Sequence, residues 1–285
     1  MAADARREGA RRIVAGAGLR EVSEAVEAEI LRLGGSLAFP VQSSRNHVAA
    51  HYCAAPDDDT TYLDGDLAKL DIGVHVDGYV VDTAVTVNVG DRPENRRMLA
   101  AVTTALDAGI AAAGPGVEIP AVTSSIERAI RSFGLNPLRN LCGHGLGRWL
   151  VHGPPPIPNL ALDGAGRERF EVDQVVAIEP FGTLGEGLVN ESGPPEVFRL
   201  DPNLAEDLDV EPDLLMAVLG FGGLPFARRQ LAGFHPTAVE AAIAALGLAG
   251  RLRSYAPLVE VGGAPVAQAE HTIRIGAEGV EVLTR

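Results

Sequence analysis

Leu70-Asp71-Ile72-Gly73-Val74-His75-Val76-Asp77-Gly78-Tyr79-Val80-Val81-Asp82-Thr83-Ala84 is the stretch on which the fold turns. Apolar strand formers flank Asp77-Gly78 on both sides, a pattern that predicts a two-residue β-hairpin with a type I′ turn. The turn fixes the register: Val76 opposite Tyr79, His75 opposite Val80, Gly73 opposite Asp82. Opposite residues share a face of the sheet, as do residues two apart on one strand. Asp71, Gly73 and Asp82 are therefore expected on one face, the two aspartates diagonal neighbours roughly 7–8 Å apart at most. Gly73, lacking a side chain, is expected to leave a hollow between them. Two carboxylates aimed into one hollow repel each other, so either one is protonated or a cation sits between them. A hard or borderline divalent metal meets that need. On the hairpin alone the plainer alternative stays equally open, that one aspartate ends a strand and faces water.

Around this hairpin the chain reads as an ordinary globular protein. Its 46% hydrophobic and 22% charged residues permit a packed interior, and 285 residues suit one large domain spanning 1–285. A net charge of −14 repels phosphate backbones and argues against direct binding of nucleic acid. Lys69 is the sole lysine among many arginines, a skew read as compositional bias. Cys53 and Cys142 are too few for a disulfide framework, and no CxxC pair points to structural zinc. The opening MAADARREGARRIVAG has no apolar core of the kind a secretory signal carries. No stretch reaches the roughly 18 apolar residues needed to span a bilayer, so a soluble, cytoplasmic protein is expected.

Periodicity predicts a short helix over 5–15 and an amphipathic one over 19–34, where Val22, Ala25, Val26, Ile30 and Leu33 fall near one face before Gly34-Gly35. Helices follow over 94–113 and 121–133, the second closed by Gly134. From 141 to 199 the pattern is short strands broken by Gly and Pro, including 174–179 and 197–200. Residues 203–250 change character: helical pieces near 211–219, 224–231 and 237–247 carry no obvious chemistry and read as a helical insertion. Strands return over 251–261, 265–275 and 280–283. No internal repeat or low-complexity tract is evident. The class is α+β, with helices packed on a mostly antiparallel sheet.

Three later segments bear on the hairpin carboxylates. Gly143-His144-Gly145-Leu146-Gly147 is followed by His152. Ala177-Ile178-Glu179-Pro180-Phe181 places a glutamate at the end of an apolar strand, where burial demands a partner. Gln268-Ala269-Glu270-His271-Thr272-Ile273 reads as a second glutamate within a strand. The order Asp, Asp, His, Glu, Glu, carried by FPVQSSRNHVAAHY (39–52), LDIGVHVDGYVVDTAVTV (70–87), GHGLGRWLVHG (143–153), VVAIEPFGT (175–183) and AQAEHTI (267–273), resembles the methionine aminopeptidases of the pita-bread (creatinase/aminopeptidase) fold. The likeness runs from about Gly34 to the C-terminus. The insertion with Leu224-Pro225-Phe226-Ala227-Arg228-Arg229, then Tyr255-Ala256-Pro257-Leu258, resembles the type II form in its short archaeal style, although the first helix is shorter than in the family.

The resemblance implies a metal-dependent aminopeptidase that removes the initiator methionine with a water activated by two divalent ions, whether cobalt, manganese, iron or zinc. It implies that Asp71 chelates one ion, that Asp82 and Glu270 bridge both, and that His144 and Glu179 complete the other. Glu179 would also shuttle a proton, and His152 and His51 would contact the substrate, with His152 as oxyanion donor. Phe39 and Tyr255 would wall the pocket for the first side chain. Cys142 is read as a packed residue, Lys69 as a possible support to the ligands, and His47, His75, His235 and His271 as structural or exposed. The implied partners are peptides, the N-termini of nascent proteins and the ribosome, and the protein is expected to be a monomer. An Xaa-Pro aminopeptidase, a creatinase-like amidinohydrolase and a metal-free binding protein on the same fold are the competing readings.

Overall fold

A computed structural model describes residues 1–161, 167–201 and 210–285. Its helices are α1 (Ala2–Arg12), α2 (Leu19–Arg32), α3 (Pro93–Ala112), α4 (Ile119–Ser132), α5 (Pro212–Leu219) and α6 (Pro236–Leu248). The first ten strands are β1 (Ser36–Arg45), β2 (Val48–Ala50), β3 (Leu67–Val76), β4 (Tyr79–Asn88), β5 (Asn136–Pro137), β6 (Cys142–Gly147), β7 (Leu150–Pro158), β8 (Val175–Ile178), β9 (Phe181–Thr183) and β10 (Val189–Glu191). The remainder are β11 (Val197–Leu200), β12 (Phe226–Ala227), β13 (Leu252–Tyr255), β14 (Leu258–Glu260), β15 (Val266–Gln268), β16 (His271–Gly276) and β17 (Gly279–Val282). All pairings between these strands are antiparallel.

The hairpin register is the expected one: Val76 pairs with Tyr79, His75 with Val80 and Gly73 with Asp82. Asp77 and Gly78 both have positive φ, 51° and 85°, as a type I′ turn requires. Gly78 is held to glycine twice over, because a Cβ there would lie 2.4 Å from the Trp149 ring. Gly73 does not leave the expected hollow. The Phe39 ring fills it, 2.3 Å from where a Cβ would stand, so glycine here admits an aromatic wall rather than an ion.

Two helix pairs cover this framework. Leu19, Val22, Val26 and Ile30 of α2 pack with Ala5 of α1 onto Leu70 and Ile72 of β3. Ile119, Val122, Ile126 and Ile130 of α4 pack with α3 onto Val176, Ile178 and Ile273 of the five-stranded sheet β17-β16-β8-β6-β7. The 3–4 residue spacing of these apolar positions is what makes each helix bury one stripe. The backbone has a repeat that is faint in the sequence, where Gly16, Val22, Glu27, Ile30 and Gly34 recur as Gly116, Val122, Glu127, Ile130 and Gly134. Before α2, Gly16 N–H donates to Tyr62 O (2.8 Å) and Leu19 N–H to Thr60 O (2.9 Å); before α4, Gly116 N–H donates to Phe170 O (2.8 Å) and Ile119 N–H to Glu168 O (2.9 Å). The buried stripes match as well: Leu19, Val22, Ser23, Val26 and Ile30 stand where α4 has Ile119, Val122, Thr123, Ile126 and Ile130.

The insertion forms a smaller core of Leu214, Val218, Phe226, Val239 and Leu246 against Phe198; its opening residues, 203–209, lie outside the described residues. Helices at 211–219 and 237–247 are borne out by α5 and α6. The one expected at 224–231 is not: Phe226 pairs with Phe198 as part of β12, and only the single 3₁₀ turn Arg228–Leu231 follows. Sheet pairing and the anchoring of Arg229 outweigh the local helical pattern. Arg229 makes two parallel bonds to Glu27 of α2 (2.5 and 2.6 Å), both residues 8% exposed, and Glu27 also accepts from Val41 N–H (2.9 Å).

Removing one partner of a buried pair strands the other charge. Arg229→Ala is expected to cost about 3–5 kcal/mol of unfolding free energy, read from the urea midpoint. Glu27→Gln combined with Arg229→Met, which removes both charges and keeps an acceptor for Val41, is expected to recover most of that loss. A double variant no more stable than the single one would show that packing rather than charge sets the cost.

Candidate metal centre

The hairpin brings Asp71 and Asp82 to the floor of a cavity of about 440 Å³, a size that suits a small ligand. His144 reaches the same place from β6, whose backbone threads between β7 and β8. A Cβ on Gly145 would stand 1.8 Å from the Pro154 carbonyl oxygen, so glycine there lets the His144 segment lie close to its neighbour. Glu179 follows the last residue of β8. Glu270 lies in the break between β15 and β16, not within a strand as expected. Its N–H donates to Ala84 O (3.0 Å) and its carbonyl accepts from Thr83 Oγ1 (2.9 Å), so side-chain bonding replaces the ladder at this point.

Ligand-type atoms of Asp82, His144 and Glu270 lie within 4.8 Å of one another, as do those of Asp71, Glu179 and Glu270. Glu270 belongs to both groups. His144 Nε2 is 3.7 Å from Asp82 Oδ2.

Four carboxylates in one cluster, Asp82 and Glu270 buried and Asp71 and Glu179 half-buried, are costly in the charged form. Burial drives Asp82, Glu179 and Glu270 well above the usual carboxylate range, and the neighbouring acids add to the shift; burial raises Asp71 to about 6. His144 is held down at about 3, chiefly by burial. Asp71 Oδ1, Asp82 Oδ1 and both Glu270 oxygens are buried without a hydrogen-bond partner. Orphaned buried acceptors call for a missing ligand, and an oxygen-rich set with one imidazole fits borderline divalent cations such as manganese, iron, cobalt or zinc.

Several supporting residues escaped the sequence reasoning. Gln268 Nε2 donates to Glu179 Oε1 (2.7 Å) and Asp71 Oδ2 (3.2 Å), holding two carboxylates in place. Thr272 Oγ1 donates to Asp82 O (2.7 Å) and accepts from Asp82 N–H (2.7 Å). From α1, Arg6 bonds Thr83 Oγ1, the Glu270 carbonyl (3.4 Å) and His271 Nδ1 (3.2 Å), placing a cation behind the cluster. Buried polar residues two places either side of a ligand were the available signal for Gln268 and Thr272; nothing in the sequence pointed to Arg6.

His51, His152, Phe39 and Tyr255 all line the cavity. His51 and His152 are pushed down to about 4, mainly by burial, and are neutral near pH 7. The His144 and His152 rings meet edge to face at 4.4 Å, and His51 meets Tyr255 at 5.8 Å. His51 has φ 65° and its N–H donates to Gln42 Oε1 (3.0 Å). Cys142 also lines the cavity, and burial raises its thiol pKa. Lys69 is buried and donates to the carbonyls of Asn46 (2.9 Å) and Leu67 (3.4 Å), not to a ligand carboxylate. His47 and His235 are exposed, His75 packs on Trp149, and His271 bonds Thr284 (2.9 Å).

Antiparallel sheets covered by two helix pairs, with carboxylates and an imidazole on the floor of a cavity, define a metal-dependent hydrolase of the pita-bread class. The model of metallopeptidase family M24 matches residues 1–204, and the chain belongs to that family. It is 38% identical over 279 residues to a methionine aminopeptidase of Archaeoglobus fulgidus, covering 98% of this chain and 93% of that one. In fold it is similar to methionine aminopeptidase from Thermotoga maritima (TM-score 0.71, 24% identity, 100% and 92% covered) and to a thermophilic Arx1 (TM-score 0.84, 18% identity, 98% and 86% covered). No helix among the described residues is long and apolar enough to cross a membrane.

Because protons compete with cations for raised carboxylates, dialysed protein titrated with Mn²⁺ or Co²⁺ in a calorimeter is expected to bind progressively more weakly from pH 7.5 down to 5.5. Glu270→Gln, which touches both groups, is expected to lose more binding than Asp77→Asn in the turn. Equal binding by these two variants would refute the centre.

Proposed function

We propose that this chain removes an N-terminal methionine from peptides and nascent chains as a cytoplasmic, type II aminopeptidase, with 1–285 as one catalytic unit and 203–250 as its insertion. The convergence of Asp71, Asp82, His144, Glu179 and Glu270 beneath a wall formed by Phe39 and Tyr255 carries this reading. Divalent ions held there would favour hydroxide near neutral pH and draw electron density from the scissile carbonyl. Asp71 would hold one ion, and His144 and Glu179 the other. Asp82, in contact with Asp71 on one side and His144 on the other, would share the middle with Glu270.

The remaining steps fall to side chains. Glu179 lines the cavity among the other ligand groups. It accepts a proton from the attacking water and returns it to the leaving amine. Gln268 keeps its carboxylate oriented meanwhile. His152, neutral near pH 7, carries one ring N–H and donates it to the carbonyl oxygen as negative charge develops. His51, whose Nδ1 has no partner, is placed by Gln42 to contact the scissile amide.

Specificity for methionine follows from the apolar wall. Burying that unbranched side chain is worth roughly 1.5–3 kcal/mol, or about tenfold to two-hundredfold in catalytic efficiency over an N-terminal alanine. A series of Met-Xaa-Gly and Xaa-Ala-Gly peptides checks this. Flat rates across first residues would make it a broad aminopeptidase, and selective cleavage before proline would favour the Xaa-Pro reading. His152→Ala is expected to lower kcat about 10²–10³-fold while metal content, measured by elemental analysis, stays unchanged. Full activity or lost metal in that variant would remove His152 from the role.

A further inference from the structure

The geometry points to a subsite for a carboxylate on the substrate at the cavity rim, formed by Arg199 and Arg253; this rests on the aminopeptidase reading. In the β11–β13 pair, Val197 stands opposite Tyr255 and Arg199 opposite Arg253. Residues two apart on a strand share a face, so these four side chains form two rows on the face toward the cavity, and all four line it. The inner row, Val197 and Tyr255, is apolar and at least partly buried; the outer row is two exposed guanidiniums.

Like charges directly opposite in a sheet are destabilising, and the usual remedy is a nearby acid. Among the described residues, no hydrogen bond or ion pair joins either arginine to a carboxylate, although the neighbouring Arg228 is paired with both Glu196 and Glu240. Arg253 stacks over the Tyr255 ring at 5.0 Å, which fixes its position without neutralising it. Glu191 of β10 is the one carboxylate lining the cavity outside the metal cluster, and it is exposed and unpaired with these arginines. In a chain of net charge −14 this unneutralised cationic pair at the mouth is a specific feature.

The rows differ by two residues of strand, about 6–7 Å, which is also the length of two residues of an extended peptide. With the first side chain of the substrate against Tyr255, the third residue reaches the arginine row. An acidic third residue would therefore be favoured over a neutral one, and a basic one disfavoured.

The test uses C-terminally amidated Met-Ala-Xaa-Gly-Ser with Xaa as Glu, Gln or Lys, cleaved by the metal-loaded full chain. At low ionic strength kcat/KM is expected to favour Glu over Gln by roughly two- to tenfold, through KM rather than kcat, and the ratio should shrink in 0.5 M salt, where the Debye length drops to about 4–5 Å. The combined Arg199→Gln and Arg253→Gln variant should bring the Glu/Gln ratio close to one. Arg199→Lys with Arg253→Lys should keep the preference, and Arg199→Glu with Arg253→Glu should favour Lys. A free-acid version of the Gln peptide separates the C-terminal carboxylate from a side chain; a gain there alone would overturn the third-residue assignment. A flat wild-type series, or a Glu/Gln ratio unchanged in the Gln variant, overturns the subsite while leaving the aminopeptidase reading intact. Failure to cleave even the Gln peptide would bring down both.

Discussion

Four carboxylates forced out of water into one place are the constraint around which this molecule is built. Burial, and after it the charges of the neighbouring acids, pushes Asp82, Glu179 and Glu270 well above their ordinary ionisation. The surroundings nevertheless hold them together. Gln268 spans Asp71 and Glu179, Thr272 clamps the Asp82 backbone, and Arg6 supplies a cation behind Glu270. Each of these contacts tolerates the cluster; none neutralises it. A rigid frame that keeps repelling acids in place is poised for cations, and its stability is tied to their presence.

Much of this was legible in the sequence because it depends on local rules. Asp77-Gly78 fixes a turn, the turn fixes a register, and the register puts Asp71 and Asp82 on one face whatever the rest of the chain does. The apolar stripes of α2 and α4 are similarly local. What could not be read depends on distant partners. The Phe39 ring over Gly73 comes from β1, so an apparent hollow was a packing contact. Arg229 is drawn to Glu27 across 202 residues, which helps to explain why a segment with a helical pattern spends its length in a short strand and one 3₁₀ turn. The break at Glu270 depends on Thr83 bonding its carbonyl, a choice invisible in the run Ala267–Ile273.

The repeated entry into α2 and α4 belongs to the same lesson. Gly16 and Gly116 make equivalent main-chain bonds ahead of helices that bury matching residues, Val22 and Ile30 in one and Val122 and Ile130 in the other. The repeat is faint in the sequence because the exposed positions between these residues have diverged. The two helix pairs brace opposite parts of the sheet framework, and the ligands come from strands under both: Asp71 and Asp82 from the hairpin beneath α1 and α2, His144 and Glu179 from the sheet beneath α3 and α4.

Glu270 has a consequence for how the chain matures. Its partner Thr83 stands 187 residues earlier, and Gln268 stands 197 residues from Asp71. Closing so long a loop costs little more than closing one of half the length, so the separation is no burden on the finished protein. It does dictate sequence in time. Since Glu270 takes part in both ligand groups, no fragment of the chain that stops short of it contains either one complete. On a ribosome, where residues emerge in order, the hairpin aspartates would wait beside water for most of synthesis, and the centre would assemble in one concerted step when the last strands dock.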